Sequence, residues 1–370
     1  MFLNGPEWKK QRKIANPAFH RSMPIHLFGT LTQKMFKTMD QMDSTIEITK
    51  LMKRWSLDAL GKAGFGFDFK FIEDINNEWQ RHTFPQQCAV QLLPKAGPKA
   101  AMLFPKRQKA HKDLSRFLNM LDSIIVSKRQ DLNNNVSNES LQENEKDLLT
   151  LMIEGEQVGD GALTDEELKS NLCAFFVAGH DTTAYALAFA IYYLAVNQVK
   201  KKKGLSKLNY CNQDLQEKAR KEAIHILGNE PVDVLPTVEQ TKQMEYINMV
   251  IKEHMRPNIQ RGVILWQTLR INDPASTTFP RKVCKDTEVA GILIPEGTLM
   301  LVDIYNLHRS PQVWTNPEKF DPQRFAPGGE AEKMAGGNMA WIPFASGGRQ
   351  CIGMNFSLAE QRVMLSMLCK

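Results

Sequence analysis

Residues 344–353 read Phe-Ala-Ser-Gly-Gly-Arg-Gln-Cys-Ile-Gly, and they precede an amphipathic stretch that begins near Met354. The glycines let the backbone bend around Cys351. The start of a helix offers free N–H groups and a positive dipole end, which favour a thiolate. Arg349 adds a cation near the sulfur, and a thiolate in this setting suits a soft or borderline metal. Taken alone, Cys351 has an alternative interpretation as a buried free cysteine in a glycine turn.

The complete pattern is more specific than the cysteine alone. Its fixed residues are Phe344, Gly347, Arg349, Cys351 and Gly353, in the spacing F-x-x-G-x-R-x-C-x-G. This pattern resembles the haem-binding loop of cytochrome P450. The resemblance implies a mainly α fold with a small β subdomain, an incomplete cytochrome P450 fold in this chain. It also implies haem b (iron protoporphyrin IX), bound non-covalently apart from the bond between the Cys351 thiolate and iron.

Composition is compatible with an enzyme of this kind. The chain has 370 residues, of which 42% are hydrophobic and 24% charged, so it can bury a core and is not globally disordered. The net charge of +6 is compatible with a basic docking face and falls short of a nucleic-acid-binding signature. The cysteines form no C-x-x-C pair, which indicates a reducing compartment.

Apolar periodicity predicts mostly helix in the first two-thirds of the chain and short strands later. The predicted elements are helices within 23–53 and 109–132, a polar loop over 133–146, hairpin strands within 278–303, an irregular stretch over 310–348 and a helix from about Met354. The whole chain, 1–370, reads as one domain.

A capping box at Thr164 and Glu167 predicts the start of a helix that runs to about Val196. The stretch 172–196 is apolar enough to resemble a membrane span. Polar residues near its middle, among them Asp181, would be costly in a bilayer. A long buried helix is therefore the favoured interpretation.

Residues 178–183, Ala-Gly-His-Asp-Thr-Thr, resemble the oxygen-activation signature of cytochrome P450. Glycine inside a helix lowers helix stability by about 1 kcal/mol relative to alanine, so the presence of Gly179 needs a structural or functional explanation. Close approach of haem and dioxygen at Ala178 and Gly179 would supply one. Asp181 and Thr182 would form an acid–alcohol pair that delivers the protons needed to cleave the O–O bond. Polar residues at a helix kink are the alternative.

Trp8 and Arg12 form a W-x-x-x-R pattern, which places them one helical turn apart. In isolation this is more often a solvated basic face. The resemblance implies that both contact the haem propionates, together with Arg281 and Arg349. Arginine suits this role because its planar guanidinium donates paired hydrogen bonds to a carboxylate.

The segment Phe320–Phe325 resembles the family's P-x-R-F segment, whose arginine here is Arg324. In the family this arginine joins a structural triad with the Glu and Arg of an E-x-x-R helix. Glu253 is followed by Arg256 at that spacing, but Pro257 disfavours helix at Arg256. Arg270 lies in family-like downstream sequence, so the predicted triad is Glu253, Arg270 and Arg324.

Two segments interrupt the resemblance. Removing 254–267 joins Glu253 to Thr268 and restores E-T-L-R, and removing 199–213 restores a family-like helix connection. We interpret both as insertions from retained non-coding sequence or gene-model errors. We also expect the N-terminal anchor, the first sheet strands and the C-terminal hairpin of the family to be missing.

The resemblance implies a haem-thiolate monooxygenase that inserts one atom of O2 into a small hydrophobic substrate. It further implies NADPH–cytochrome P450 reductase as electron donor, with cytochrome b5 as a second candidate. The implied location is the cytosolic face of the endoplasmic reticulum membrane, with membrane contact only through the missing anchor and no nucleic-acid partner.

Three other functions stay open at this level. One is a non-catalytic, truncated or mis-spliced product that does not retain haem. Another is a P450-like isomerase or peroxygenase, against which the Asp181–Thr182 pair argues. The third is a thiol hydrolase built on Cys351, for which the sequence suggests no paired histidine. The substrate and the oligomeric state are not determined by the sequence.

Overall fold

The computed structural model describes residues 3–42, 45–74, 105–134, 143–157, 162–196, 213–230, 234–256, 278, 280–334 and 337–370. These residues belong to two compact units. Unit 1 comprises Met1–Ile191, Arg220–Met244 and Asn355–Lys370, and unit 2 comprises Tyr192–Ala219 and Glu245–Met354. The single domain expected over 1–370, and the insertion at 199–213, stay predictions.

Helices dominate the described part of the chain, and the strands are few and short. In chain order the helices are α1 (Gly5–Arg21), α2 (Ile25–Met39), α3 (Ile48–Phe65), α4 (Pro105–Asn133), α5 (Leu148–Gln157), α6 (Asp165–Val196), α7 (Gln213–Leu227), α8 (Val238–Gln243), α9 (Glu245–Met255), α10 (Ile304–Arg309), α11 (Glu330–Lys333) and α12 (Met354–Cys369). The strands are β1 (Arg281–Lys282), β2 (Thr287–Val289), β3 (Ile292–Ile294) and β4 (Leu299–Met300). The mainly α fold with a small β region is therefore confirmed.

Helix α6 begins at the predicted capping box. The Thr164 N–H donates to Glu167 Oε2 at 2.9 Å, and the Glu167 N–H donates to Thr164 Oγ1 at 3.2 Å. By length and composition alone, Asp165–Ala195 is the one described segment that would be long and apolar enough to cross a membrane. Half of its most apolar window is buried inside the protein, as in the core helix of a globular unit.

Aromatic side chains from several helices form the core of unit 1. Phe28 of α2 packs edge-on against Phe356 of α12, with ring centroids 5.3 Å apart, and also contacts Trp55 of α3. Phe176 of α6 stacks on Phe65, with centroids 6.0 Å apart. Burying each of these rings contributes roughly 1.5–3 kcal/mol. The aromatic core thus ties α6 and α12 to the first helices.

Two antiparallel strand pairs lie in unit 2, as the hairpin prediction required. Strand β1 pairs with β4, and β2 pairs with β3 through a turn at Ala290 and Gly291. Both turn residues have positive φ, 51° and 78°, as a two-residue hairpin loop demands. Apolar side chains of the strands stay exposed, for instance Leu299 at 70%, so the core of unit 2 lies elsewhere, around Trp314 and Ile342.

Candidate functional site

Cys351 ends a tight loop in unit 2. Its N–H donates to the Phe344 carbonyl at 2.9 Å, and the Gln350 N–H donates to the Gly347 carbonyl at 3.0 Å. Ala345 and Gly347 both have positive φ, 56° and 73°. These two left-handed residues turn the chain so that the ends of the loop meet. The thiol is exposed, and helix α12 begins three residues further on, as predicted.

Two arginines of unit 2 supply positive charge beside this loop. Partial burial lowers the pKa of Arg349, and the nearby positive charge of Arg281 lowers it further. A guanidinium group binds a carboxylate well, because it donates two parallel hydrogen bonds to the two oxygens. The exposed Cys351 thiol and these arginines fit haem. The sulfur can bind the iron, and the guanidinium groups can bind the propionates. The predicted residues of unit 2 therefore fit the group.

A buried ion pair lies in the same unit. Glu253 and Arg256 are both completely buried, and Arg256 donates from Nε to Glu253 Oε2 at 2.9 Å and from Nη2 to Oε1 at 2.8 Å. Arg324 Nε lies 3.6 Å from Glu253 Oε1, so the predicted contact between these two residues is present. Arg324 also donates to the carbonyls of Thr315 and Asn316.

Arg270, the predicted third member of the triad, lies outside the described residues. Arg256 is the arginine that pairs with Glu253 in the described part of the chain. Helix α9 ends at Met255, just before Arg256 and Pro257, as expected for a residue that precedes proline. The Arg256 side chain nevertheless folds back onto Glu253. At least the start of the predicted insertion at 254–267 is therefore built into the core of unit 2.

The predicted oxygen-activation residues lie on α6 in unit 1. Thr182 Oγ1 donates to the Ala178 carbonyl at 2.7 Å, within the same helix. A Cβ added to Gly179 would lie 3.1 Å from a Leu60 side-chain carbon of α3. Helix packing therefore gives one physical reason for this glycine. Its predicted contact with haem stays a prediction.

Asp181 is held by a cation that the sequence did not suggest. Lys53 Nζ of α3 lies 2.9 Å from Asp181 Oδ1, and the same amine stands over the Tyr185 ring, 4.6 Å from its centroid. Burial lowers the pKa of Lys53, but hydrogen bonds to Tyr185 and Asp181 outweigh this effect and leave that pKa raised. His180 Nε2 lies 3.6 Å from Asp181 Oδ1. An ion pair thus holds the predicted acid of α6 against α3.

The Lys53–Asp181 pair is expected to show a coupling energy of about 0.5–1 kcal/mol in a double-mutant cycle, since both side chains are only partly buried. The cycle uses Lys53→Met and Asp181→Asn, with urea unfolding as the measurement. The more exposed pair of Lys10 and Glu167, with side chains 47% and 27% exposed, serves as control and should couple less strongly. Equal coupling in the two pairs would contradict a special role for Lys53.

A second buried acid in unit 1 also escaped prediction. Thr183 Oγ1 donates to Glu360 Oε2 at 3.1 Å and lies 3.0 Å from Ser357 Oγ. Burial raises the pKa of Glu360 to about 8, and the Thr183 hydrogen bond opposes that rise. Glu360 is therefore mostly protonated at neutral pH. The sequence did contain a signal for this buried acid. Glu360 lies four residues after Phe356, on the same face of the predicted amphipathic helix.

Trp8 and Arg12 lie one turn apart on α1, as predicted, and both are half-buried within unit 1. The predicted site residues thus fall into two groups. Those of unit 1 are Trp8, Arg12, Ala178, Gly179, Asp181 and Thr182, and those of unit 2 are Arg281, Phe344, Gly347, Arg349, Cys351 and Gly353.

Comparison with known proteins gives a consistent result. A sequence model of the family described as Cytochrome P450 matches residues 1–259 and 263–370. Cytochrome P450 4A11 of Homo sapiens is 27% identical over 394 residues, which cover 99% of this chain and 66% of the relative. Taurochenodeoxycholic 6 alpha-hydroxylase of Sus scrofa is 26% identical over 393 residues, which cover 99% of this chain and 68% of the relative. Cytochrome P450 3A5 of Homo sapiens is 27% identical, with 97% and 66% covered. The chain spans about two thirds of the length of these relatives.

Proposed function

The chain belongs to the cytochrome P450 family, and from that premise we propose that it is a haem-thiolate monooxygenase. It inserts one oxygen atom of O2 into a hydrophobic organic substrate and reduces the other to water. The observation that carries the proposal is the loop that closes between Phe344 and Cys351 and presents an exposed thiol beside two arginines. Haem b, when bound, supplies the activation of dioxygen at its iron.

The predicted haem-binding residues divide by chemistry in this proposal. Cys351 would supply its thiolate as the iron ligand. Arg281, Arg349, Trp8 and Arg12 would donate hydrogen bonds to the propionates.

Proton delivery is the proposed role of α6. The Asp181 carboxylate and the Thr182 hydroxyl would hold and pass protons, and the ion pair with Lys53 would hold the Asp181 side chain in place. The acid–alcohol pair favours a monooxygenase over a P450-like isomerase or peroxygenase.

The electron donor and the location follow from the same premise. We propose NADPH–cytochrome P450 reductase as the donor, docking on a basic face to which the exposed Lys9, Lys10 and Lys13 of α1 contribute. The proposed location is the cytosolic face of the endoplasmic reticulum membrane. One relative is named Taurochenodeoxycholic 6 alpha-hydroxylase, and that name supports hydroxylation as the class of reaction.

The absorption spectrum of the reduced, CO-bound full chain tests this function. We expect a thiolate-type Soret band in the natural chain, because the iron would be bound by sulfur. Cys351→Ser should lose that band completely. Cys284→Ser, which changes another exposed cysteine of unit 2, should retain it. A band that survives Cys351→Ser would overturn the proposed ligand. No haem uptake by the natural chain would favour the non-catalytic product.

A further inference from the structure

His308 connects the buried ion pair of unit 2 to the loop that carries Cys351. It lies in the last turn of α10 and is completely buried. Its carbonyl accepts a hydrogen bond from Arg256 Nη1 at 2.8 Å, while Arg256 binds Glu253 with its other nitrogens. Its ring Nε2 accepts a hydrogen bond from the Ile342 N–H at 2.9 Å. One residue therefore touches both features.

Backbone hydrogen bonds continue from Ile342 to the cysteine. The Ile342 carbonyl accepts from the Ala345 N–H at 3.0 Å, and the Phe344 carbonyl accepts from the Cys351 N–H at 2.9 Å. Ala345 has positive φ, a conformation that a residue other than glycine keeps only when its surroundings hold it. The Ile342 N–H is bound by His308 and the Ile342 carbonyl by Ala345, and together these two hydrogen bonds would hold the start of the turn in place.

The contact with Ile342 determines the tautomer of the His308 ring. Because Nε2 accepts a hydrogen bond, the proton of the neutral ring is on Nδ1. Nδ1 is buried and has no hydrogen-bond partner among the described residues. Burial, together with the charge of Arg256, lowers the pKa of His308 to about 3. The ring therefore stays neutral near pH 7, and Nε2 keeps its acceptor lone pair.

A histidine that only filled space would not need this arrangement. An apolar side chain of similar size would fill the same volume without leaving a buried N–H unsatisfied, which has a cost in stability. What the imidazole adds is the acceptor for Ile342. With Nε2 directed at that peptide, Nδ1 has no hydrogen-bond partner among the described residues.

We propose that His308 is a positioning residue for Cys351. It fixes the start of the cysteine loop, residues 342–351, against the Glu253–Arg256 pair, and through that loop it fixes the direction of the sulfur. The part that concerns iron rests on the proposed function, whereas the part that concerns the order of the loop does not.

Amide hydrogen exchange of the full chain tests the order of the loop and needs no haem. His308→Leu removes the acceptor but keeps most of the volume, so exchange at the Cys351 amide should become about tenfold faster. His308→Gln places its amide oxygen at the same number of bonds from Cβ as Nε2, so it should restore most of the protection. Ile304→Ala is the control, because it perturbs a buried position of the same helix without removing an acceptor.

Two results would overturn the proposal. One is a His308→Leu protein in which Ile342 exchanges faster while Cys351 is unchanged, since the contact would then be local. The other is an equal effect of Ile304→Ala. If His308→Leu unfolds, His308→Asn replaces it, because its oxygen falls one bond short of Ile342. Cys351 should then exchange about tenfold faster in the Asn variant than in the Gln variant, and equal rates would count against the proposal.

The reduced, CO-bound spectrum gives the second readout. We expect the thiolate-bound fraction of haem to fall about tenfold in the His308→Leu protein and to recover in His308→Gln. A natural chain that takes up no haem would defeat the proposed function, and the exchange measurement would still decide the role of His308. Normal Soret bands in all variants would overturn the part of the proposal that concerns the iron ligand.

Discussion

Arg256→Leu is expected to lower the free energy of unfolding by about 3–5 kcal/mol, because it leaves the buried Glu253 carboxylate without its main partner. Arg256 makes a bidentate contact with Glu253 and also donates to the carbonyls of His308 and Lys319. Arg324 Nε, at 3.6 Å from the Glu253 carboxylate, would compensate for only part of the lost interaction with Arg256. Urea unfolding followed by tryptophan fluorescence measures the loss, since the Trp314 ring lies 5.4 Å from the Arg256 guanidinium.

Arg309→Leu provides the matched control. Arg309 pairs with Glu318 in the same unit, but the Glu318 side chain is 59% exposed, so the loss should be at most about 1 kcal/mol. The double variant Glu253→Leu/Arg256→Leu should be more stable than Arg256→Leu alone, since no buried charge remains unpaired. A small effect of Arg256→Leu together with a large effect of Arg270→Leu would restore the triad predicted from the sequence.

Glu360 is expected to make the protein less stable as pH rises. Burial raises its pKa from the ordinary 4.5 to about 8 in the folded protein. Between these values the folded chain holds a proton that the unfolded chain has released, so the free energy of unfolding falls with rising pH across this window. The free energy of unfolding should fall by about 4–5 kcal/mol in total, and most of this loss should have occurred by pH 8. Urea unfolding at several pH values measures it.

Glu360→Gln should remove this slope, because a carboxamide does not ionise. The Gln variant should therefore exceed the natural protein in stability at pH 8 and above. Thr183→Val tests the cause from the other side. It removes the hydrogen bond that lowers the pKa of Glu360, so that pKa should rise further. The same slope in the natural and Gln proteins would show that Glu360 does not titrate in this way.

Local sequence patterns were sufficient for much of the architecture. The Thr164–Glu167 capping box located the start of α6, because its two hydrogen bonds join residues only three positions apart. The hairpin strands predicted within 278–303 include the β2–β3 pair, whose turn also joins residues close together in the chain. The cysteine loop was recognisable because its fixed residues lie within ten consecutive positions and its bend depends on the backbone freedom of nearby glycines.

Contacts between distant segments could not be predicted from such patterns. Lys53 lies far from Asp181 along the chain, and nothing around Lys53 distinguishes it from other lysines of an amphipathic helix. The pairing of Arg256 with Glu253 could not be expected from the local rule about a residue that precedes proline. Pro257 does end the helix at that point, but the long arginine side chain still reaches Glu253 when the surrounding carbonyls accept its remaining N–H groups.

The amino-acid order alone specified the start of α6, the start of α12, the hairpin region and the identity of the cysteine, since these depend on residues that are neighbours in the chain. Only the tertiary structure determined which groups lose water and which partners they find. The protonated Glu360, the neutral His308 and the paired Glu253 all follow from burial. Burial changes the free energy of a charged group by several kcal/mol. The extent of burial depends on segments that come together only when the chain folds.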